Sequence, residues 1–309
     1  MDVHVHANCQ AIPIAGMLRE AYPEWNVTWF EAHGSEIIER FDEHCSRIRS
    51  ADLVLSQPIH RGYRNREELS LDWVRQNVRS GATLLVFPSM HFAAHHLGLD
   101  GLPLQGLPFL SSLLAAHLVA SGCDVEQTVS LLLGEDLLKD EEIETEIQAS
   151  LDETKRREQE DKIDIWISPF MEANCRSRLM FHIQNHPLRE TAAYIVNRVL
   201  QCLDLPRRVS NEGRDYQKET HVPPLPAVAR FLRERGGSDC DPAGGMVLLP
   251  GYPTMTQTEY YGLIARCLVA FPAEEVFAVV AARWPTIQVL RRLAAQGSSI
   301  PGIDRWLPG

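Results

Sequence analysis

The N-terminal third of the chain alternates short apolar runs with segments of helical periodicity. Four runs have the length and composition of β-strands, namely residues 3–7, 26–30, 51–55 and 82–87. Apolar residues recur at helical spacing after Pro13, and a further helix is predicted over about residues 67–78. Apolar strands that alternate with helices are typical of an α/β fold with an open, mostly parallel sheet and helices on both faces, a Rossmann-like layout.

From Phe109 onward the pattern becomes mainly helical. Asp124 can cap a helix that ends near Leu133, and the charged segment 135–161 predicts one long solvated helix. The buried stripe of that helix is predicted to consist of Leu138, Ile143, Ile147 and Leu151. Strand character returns at 163–167, and helices are predicted over 191–203, 225–235, 257–271 and 274–295. We therefore expect an α/β domain over residues 1–203 and a mainly helical C-terminal lobe over 204–309, either separate or packed into the same domain.

Composition and charge narrow the class of partner. The chain has 309 residues and a formal net charge of −11, which disfavours nucleic acid because surfaces that bind nucleic acid are basic. The N-terminus lacks a basic region followed by an apolar core, and the most apolar stretch, 107–120, is too short to span a bilayer. Seven cysteines without a CxxC pair are typical of reduced thiols. The expectation is a cytoplasmic protein without a membrane span.

Polar residues follow several of the predicted strands. They are Asn8-Cys9-Gln10, Ser56-Gln57 and Ser89-Met90-His91, and the segment 182–187 comes some residues after the strand predicted at 163–167. In an open parallel sheet, ligands bind beyond the carboxyl ends of the strands. We therefore expect these distant segments to converge on one candidate active site.

Cys9 and His186 are the candidate reactive groups at that edge. Cys9 lies just before a predicted helix, whose N-terminal field should lower the pKa of the thiol; the alternative is a buried cysteine that packs a turn. The side chains of Asn8 and Gln57 could donate hydrogen bonds to an oxyanion. His186, held extended by Pro187, is a candidate general base, and a surface or core histidine is the alternative.

Two other patterns suggest ligands. The basic segment 60–66 lies near a strand end and could bind phosphates through its arginines, or it could be a solvated loop. His4 and His6 alternate on the first strand, which resembles the first strand of metal-dependent amidohydrolase barrels, where two histidines bind a divalent metal. Such a barrel needs more strand–helix units and further His and Asp ligands, which the helical C-terminal third does not supply.

Four short motifs together resemble the WcbI family of polysaccharide-biosynthesis proteins. They are ANCQ after the first strand, SQP, the proline-bounded FPSMHF and CRSRLMFHIQNHP, and the resemblance covers roughly residues 1–225. It implies an α/β protein that binds coenzyme A and is proposed to acetylate a capsular heptose. The implied layout is similar to SGNH-type hydrolases and acyltransferases, with Cys9 where those proteins place a nucleophilic serine. The chain lacks their GDS sequence and Asp-x-x-His ending, so an intact Ser-His-Asp triad is not carried over.

The resemblance implies a set of residues around the reacting centre. The candidate catalytic residues are Cys9, Gln57, His182 and His186, and their neighbours are Asn8, Gln10, Ser56 and Asn185. From charge and placement, the candidates for binding the phosphates of coenzyme A are Arg61, Arg64, Arg176 and Arg178.

The sequence therefore predicts an acetyl-CoA-dependent O-acetyltransferase acting on a sugar hydroxyl, with coenzyme A as cosubstrate and no metal. The acceptor is expected to be a sugar nucleotide or a polysaccharide, and assembly into a homo-oligomer is left open. Two mechanisms fit: direct attack by a hydroxyl that His186 or His182 deprotonates, or a covalent acetyl-Cys9 intermediate, which is the one we favour from the sequence. The alternatives are a non-catalytic coenzyme A- or glycan-binding component of a capsule assembly complex and a metal-dependent hydrolase that uses His4 and His6.

Overall fold

The structure, a computed structural model, describes residues 1–34, 39–237, 244–281, 286–295 and 300–302. The chain divides into two compact units, each built from three stretches. Residues 1–91, 151–174 and 185–218 form the first, which we call the sheet unit; residues 92–150, 175–184 and those described from 219 onward form the second, the helical unit. The division into an α/β domain over 1–203 and a C-terminal lobe over 204–309 stays a prediction.

The elements follow one another along the chain in this order. The first part contains β1 (Asp2–Ala7), α1 (Ala11–Ala21), β2 (Asn26–Glu31), α2 (Phe41–Ser50), β3 (Leu53–Ser56), α3 (Leu71–Asn77) and β4 (Thr83–Val86). The middle part contains β5 (Leu99–Asp100), β6 (Ser111–Ser112), α4 (Leu113–Ala120), α5 (Val125–Leu132), α6 (Asp140–Glu160), α7 (Ser168–Asn174), β7 (Phe181–Ile183), β8 (His186–Pro187) and α8 (Arg189–Cys202). The last part contains α9 (Pro226–Glu234), β9 (Met246–Val247), β10 (Met255–Thr256), α10 (Gln257–Val269), α11 (Ala273–Val280) and α12 (Thr286–Ala295).

The sheet unit is built on four parallel strands in the order β2-β1-β3-β4. This confirms the predicted α/β fold with a parallel sheet, and all four strands occur where the sequence predicts them. The central strand β1 is buried from Val3 onward, as expected for a strand with neighbours on both sides. The SGNH-like assignment is finer than these strands establish and stays a prediction.

One predicted strand, at residues 163–167, is wrong. The alternation is real, because Ile163, Ile165 and Ile167 are buried while the residues between them are exposed. However, the segment is not a strand: Asp164 and Ile165 donate to the carbonyl of Val86 at the end of β4 at 2.9 and 3.1 Å, and Ile163 donates to the carbonyl of Glu158 at 3.1 Å. The Asp164 carboxylate accepts from the Val86 N–H at 2.7 Å. The Asp164 side chain therefore occupies the Val86 N–H, which would otherwise be available to pair with another strand.

The helical unit packs around α4, in which every residue is buried. Helices α5, α10, α11 and α12 contact it, which explains the apolar composition of the stretch 107–120 without a membrane. Asp124 caps α5 as predicted, and the stripe of Leu138, Ile143, Ile147 and Leu151 along the charged segment is buried. The helix predicted over 274–295 is instead two helices, α11 and α12, and residues 282–285 lie outside the described residues. Within the described chain, no helix has the length and apolar character needed to cross a bilayer.

Candidate functional site

The polar stretches after β1, β3 and β4 meet at one edge of the sheet. The Asn8 backbone N–H donates to Gln57 Oε1 at 2.9 Å, and Asn8 Nδ2 donates to Ser89 Oγ at 3.3 Å. The Gln57 N–H donates to the carbonyl of His6 on the neighbouring strand at 2.9 Å. Parallel strands end at the same edge, so the polar residues that follow them are adjacent although they are far apart in sequence.

Two buried glutamines hold this edge together. Gln57 Nε2 donates to Gln10 Oε1 at 2.7 Å and to the Pro88 carbonyl at 3.3 Å. Gln10 Nε2 donates to the carbonyls of Met90 and Asn185 at 2.6 and 2.8 Å. The Gln57 amide has only two N–H groups and both are engaged, so a bound oxyanion would have to draw on other donors. Asn8, half-buried and with one long hydrogen bond from Nδ2, is better placed for that role.

A pocket of about 400 Å³ opens at this edge within the sheet unit. Its lining consists of Asn8, Ala32, Gln57, Pro58, Ile59, His60, Arg61, Gly62, Tyr63 and Ser89. This volume lies in the range of small-molecule and cofactor sites, and a few polar groups among apolar walls are usual for such sites. The strand-end side chains and residues 60–63 of the basic segment therefore share one cavity, with the exposed Arg61 in its lining.

Cys9 is half-buried directly before α1, between Asn8 and Gln10. Burial, together with the negative charge of Glu31, raises the pKa of its thiol to about 11. The expectation that the helix N-terminus lowers this pKa is therefore wrong, because loss of hydration disfavours the thiolate more strongly. With this pKa, Cys9 is a neutral thiol at physiological pH.

The other candidate reactive residues separate between the two units. Asn185 and His186 belong to the sheet unit, where the Asn185 carbonyl accepts from Gln10 and His186 begins β8, half-buried. His182 belongs to the helical unit, where it is buried with Nδ1 at 3.1 Å from His221 Nδ1. Ser56 is fully buried and donates to the carbonyl of Gln57 at 2.9 Å.

The four candidate arginines are also divided. Arg61 is exposed and pairs with Asp72 at 2.8 Å, and Arg64, which has a positive φ of 52°, donates to two backbone carbonyls of the His33–Gly34 turn at 2.9 Å. Arg176 and Arg178 belong to the helical unit. There Arg176 Nε donates to Glu144 at 2.8 Å, and Arg178 is exposed. The structure thus brings Arg61, but not the whole predicted set, into the pocket lining.

His4 and His6 lie on the face of β1 that packs against α2. His4 Nδ1 is 2.9 Å from Thr28 Oγ1 and its Nε2 is 2.9 Å from His44 Nδ1, while His6 Nε2 is 2.8 Å from the Leu69 carbonyl. Both rings are buried and bonded as core histidines. Within the part of the chain that the structure describes, no three His, Cys, Asp or Glu side chains are grouped to hold a metal ion, and the sheet is open rather than closed into a barrel.

Sequence reasoning missed one residue of this edge. Gln217, in the long loop after α8, donates through Nε2 to the carbonyl of Cys9 at 3.1 Å. No motif or spacing marks Gln217, because its role depends on how the loop returns to α1.

The comparisons with known proteins indicate one family. The family model described as polysaccharide biosynthesis enzyme WcbI matches residues 2–208, more than half of the chain. A similar solved structure is a WcbI protein, described as a novel polysaccharide biosynthesis enzyme in a native form without a disulfide bond between coenzyme A and one of its cysteines. Its TM-score is 0.78 at 24% identity, covering 94% of this chain and 98% of that chain, which establishes a shared fold. No curated protein matches the sequence.

Proposed function

Since the chain belongs to the WcbI family of polysaccharide biosynthesis enzymes, we propose that it is an O-acetyltransferase that moves an acetyl group from acetyl-CoA to a sugar hydroxyl. The proposed acceptor sugar is a heptose of a capsular precursor. The observation that carries this proposal is the pocket of about 400 Å³ at the strand ends. Its lining offers Asn8 and Ser89 to a reacting carbonyl, and it offers Arg61 and Tyr63 to a phosphate and an aromatic base. The similar WcbI structure, whose description names coenzyme A, supports the choice of donor.

The reaction needs a base for the sugar hydroxyl and a donor for the oxyanion. His186 is the proposed base, because its neighbour Asn185 is bonded to Gln10 at the braced edge of the sheet. The base takes the hydroxyl proton as the oxygen attacks the thioester carbonyl, and the carbon–sulfur bond then breaks. Coenzyme A leaves as a thiolate and takes up that proton. Asn8 Nδ2 is the proposed donor to the oxygen that becomes negative in the transition state.

Direct transfer fits the state of Cys9 better than an acetyl-Cys9 intermediate. With a pKa raised to about 11 by burial, only about one thiol in ten thousand is ionised near pH 7. A thiolate is the reactive form of cysteine, so a covalent route would first have to stabilise that anion. In the direct route a neutral Cys9 packs beside the bound thioester.

The test follows release of free coenzyme A and acetylated sugar by mass spectrometry, with acetyl-CoA and candidate acceptors including heptose derivatives. His186→Ala should lower turnover by about 10²–10⁴-fold, the usual contribution of a general base, with little change in coenzyme A affinity. The matched control is His33→Ala, which removes an exposed histidine of the same unit that does not line the pocket. Binding of coenzyme A without transfer to any acceptor would instead support the non-catalytic alternative. Full transfer by a folded His186→Ala protein would refute the proposed base.

A further inference from the structure

Arg189, the first residue of α8, fixes the loop that follows this helix. This arginine is only 7% exposed, and its guanidinium pairs with both carboxylate oxygens of Glu20 on α1 at 3.1 and 2.6 Å. It also donates to the backbone carbonyls of Ser210 and Arg214 at 3.2 and 2.6 Å. A buried charge with this many satisfied donors resists rearrangement, because each lost contact would leave a desolvated group unpaired. The loop is therefore held in one position on α1 and α8.

Two glycines allow the loop to approach so closely. Gly213 has a φ of 131°, and a Cβ built there would lie 2.9 Å from the Arg189 guanidinium. A Cβ built on Gly16 of α1 would overlap the ring of Tyr216, whose hydroxyl donates to Glu20 at 2.8 Å. Larger residues at these positions would push the loop away from α1.

The fixed loop ends on Gln217. Asp215 bridges the loop to α8, since its Oδ2 accepts from the Arg189 N–H at 3.3 Å and its Oδ1 accepts from the Gln217 N–H at 3.1 Å. The Gln217 side chain is 6% exposed, and its Nε2 donates to the Cys9 carbonyl at 3.1 Å. Its Oε1 is buried and has no hydrogen-bond partner among the residues that the structure describes. Burying Oε1 without a hydrogen-bond partner costs free energy. That cost indicates that the hydrogen bond donated by Nε2 is required at this position.

We propose that Gln217 is a positioning residue for Cys9. The side-chain amide of Gln217 fixes the backbone of Cys9, and with it the thiol, at the edge of the pocket. Gln217 lies beyond residues 2–208, the part of the chain that matches the family. A hydrogen bond from its side chain lowers the pKa of the Cys9 thiol, opposing the larger effect of burial and the effect of Glu31. The inference rests on Cys9 following Asn8, which lines the proposed pocket, and not on acetyl transfer itself.

The test measures the rate at which iodoacetamide alkylates Cys9 in the full chain between pH 7 and 11, with the label mapped by peptide mass spectrometry. Gln217→Met keeps the size of the side chain and removes the donor, so the ionisation of Cys9 should shift upward and labelling at pH 8 should fall about threefold to tenfold. Gln217→Glu should shift it further, because a carboxylate beside the thiolate repels it. The matched control is Gln159→Met, which changes an exposed glutamine of α6, and Cys202, which is exposed, serves as an internal reference.

A Cys9 pH profile that is unchanged in a folded Gln217 variant would overturn the proposal, even if thermal stability fell. If both Gln217 variants unfold, Gly16→Ala tests the proposal instead. It keeps Gln217 but displaces Tyr216, the residue that precedes it in the loop. The same upward shift is expected there, and an unchanged profile counts against the proposal. The profile is recorded without acetyl-CoA, so missing transfer activity would refute the proposed function alone.

Discussion

At the scale of single residues, the edge of the sheet separates bracing side chains from side chains that face the pocket. Gln10 and Gln57 are 0% and 3% exposed, and their amides bond to each other and to neighbouring backbone. Asn8 and Arg61 are more exposed and line the cavity. Substitution of the first pair should therefore disturb folding and the site together, whereas substitution of the second should change ligand binding with little loss of stability.

Arg61 provides the prediction that belongs to this scale. Arg61→Ala should weaken the thermal stabilisation by coenzyme A, with an increase in Kd of about twofold to fivefold, since an exposed charge contributes at most ~1 kcal/mol. The difference should grow at low ionic strength, where an exposed cation attracts phosphate over a longer distance. Thermal unfolding at several coenzyme A concentrations measures it.

Arg49→Ala is the matched control, because Arg49 is an exposed arginine of α2 that does not line the pocket. Equal ligand-induced shifts in both variants would remove Arg61 from the proposed binding site.

At the scale of elements, the segment 163–167 shows that alternation of apolar residues is not sufficient for a strand. Its isoleucines are buried as alternation predicts, but its backbone bonds go to the end of β4 and to a buried carboxylate on α6. That carboxylate, Glu158, accepts from the N–H groups of Ile167 and Ser168 at 2.6 and 3.0 Å and from the Ser168 hydroxyl. It therefore caps α7 from another helix.

Glu158→Ala should lower the free energy of unfolding by about 2–4 kcal/mol, because two buried N–H groups at the start of α7 lose their acceptor. Glu158→Gln should cost less, since its amide oxygen can still accept one of these bonds. Urea unfolding followed by circular dichroism measures both. Glu160→Ala is the control, because Glu160 is exposed and is not the residue that caps α7. It should change stability by no more than ~0.5 kcal/mol. A small effect of Glu158→Ala would show that α7 does not need this cap.

At the scale of the whole molecule, the chain places many histidines in its interior. In the sheet unit, burial lowers the pKa of His4 to about 3 and of His6 to about 4, and it lowers that of His44 further. In the helical unit, burial lowers the pKa of His95 to about 4 and of His96 to about 3. These rings fold as neutral groups, and in the unfolded chain they regain their ordinary pKa of 6.5.

Stability should therefore fall steeply as the pH drops below about 6.5. A group whose folded pKa is depressed contributes stability that is present above the unfolded pKa, and here the unfolded chain binds the protons first. Each such histidine costs up to ~1.4 kcal/mol per pH unit between 6.5 and its folded pKa. Equilibrium unfolding between pH 7 and 4.5 measures how the free energy of unfolding depends on pH. Most carboxylates titrate below this range, so the histidines dominate the slope.

His44→Phe should reduce that slope by about one proton, and it keeps a ring stacked on Phe30, whose centroid is 3.9 Å from that of His44. His33→Gln, at an exposed position, is the control. A slope that does not differ between the parent protein and His44→Phe would mean that His44 does not fold as a neutral group.

The sequence by itself determined the features that depend on near neighbours in the chain. Strands β1 to β4, the Asp124 cap of α5 and the buried stripe of α6 follow from periodicity and capping, which act over a few residues. The polar stretches at the strand ends were also visible, because a parallel sheet aligns them wherever its helices lie.

Only the tertiary structure decided which of those polar residues are tied up, which face the cavity and what state Cys9 adopts. The engagement of both N–H groups of Gln57, the burial that raises the pKa of Cys9 and the contact with Gln217 all involve partners distant in sequence. Hydration and hydrogen bonding of a side chain depend on every group packed around it, and a local pattern carries no record of those groups. The same reason placed His182 in the helical unit and made His4 and His6 core residues.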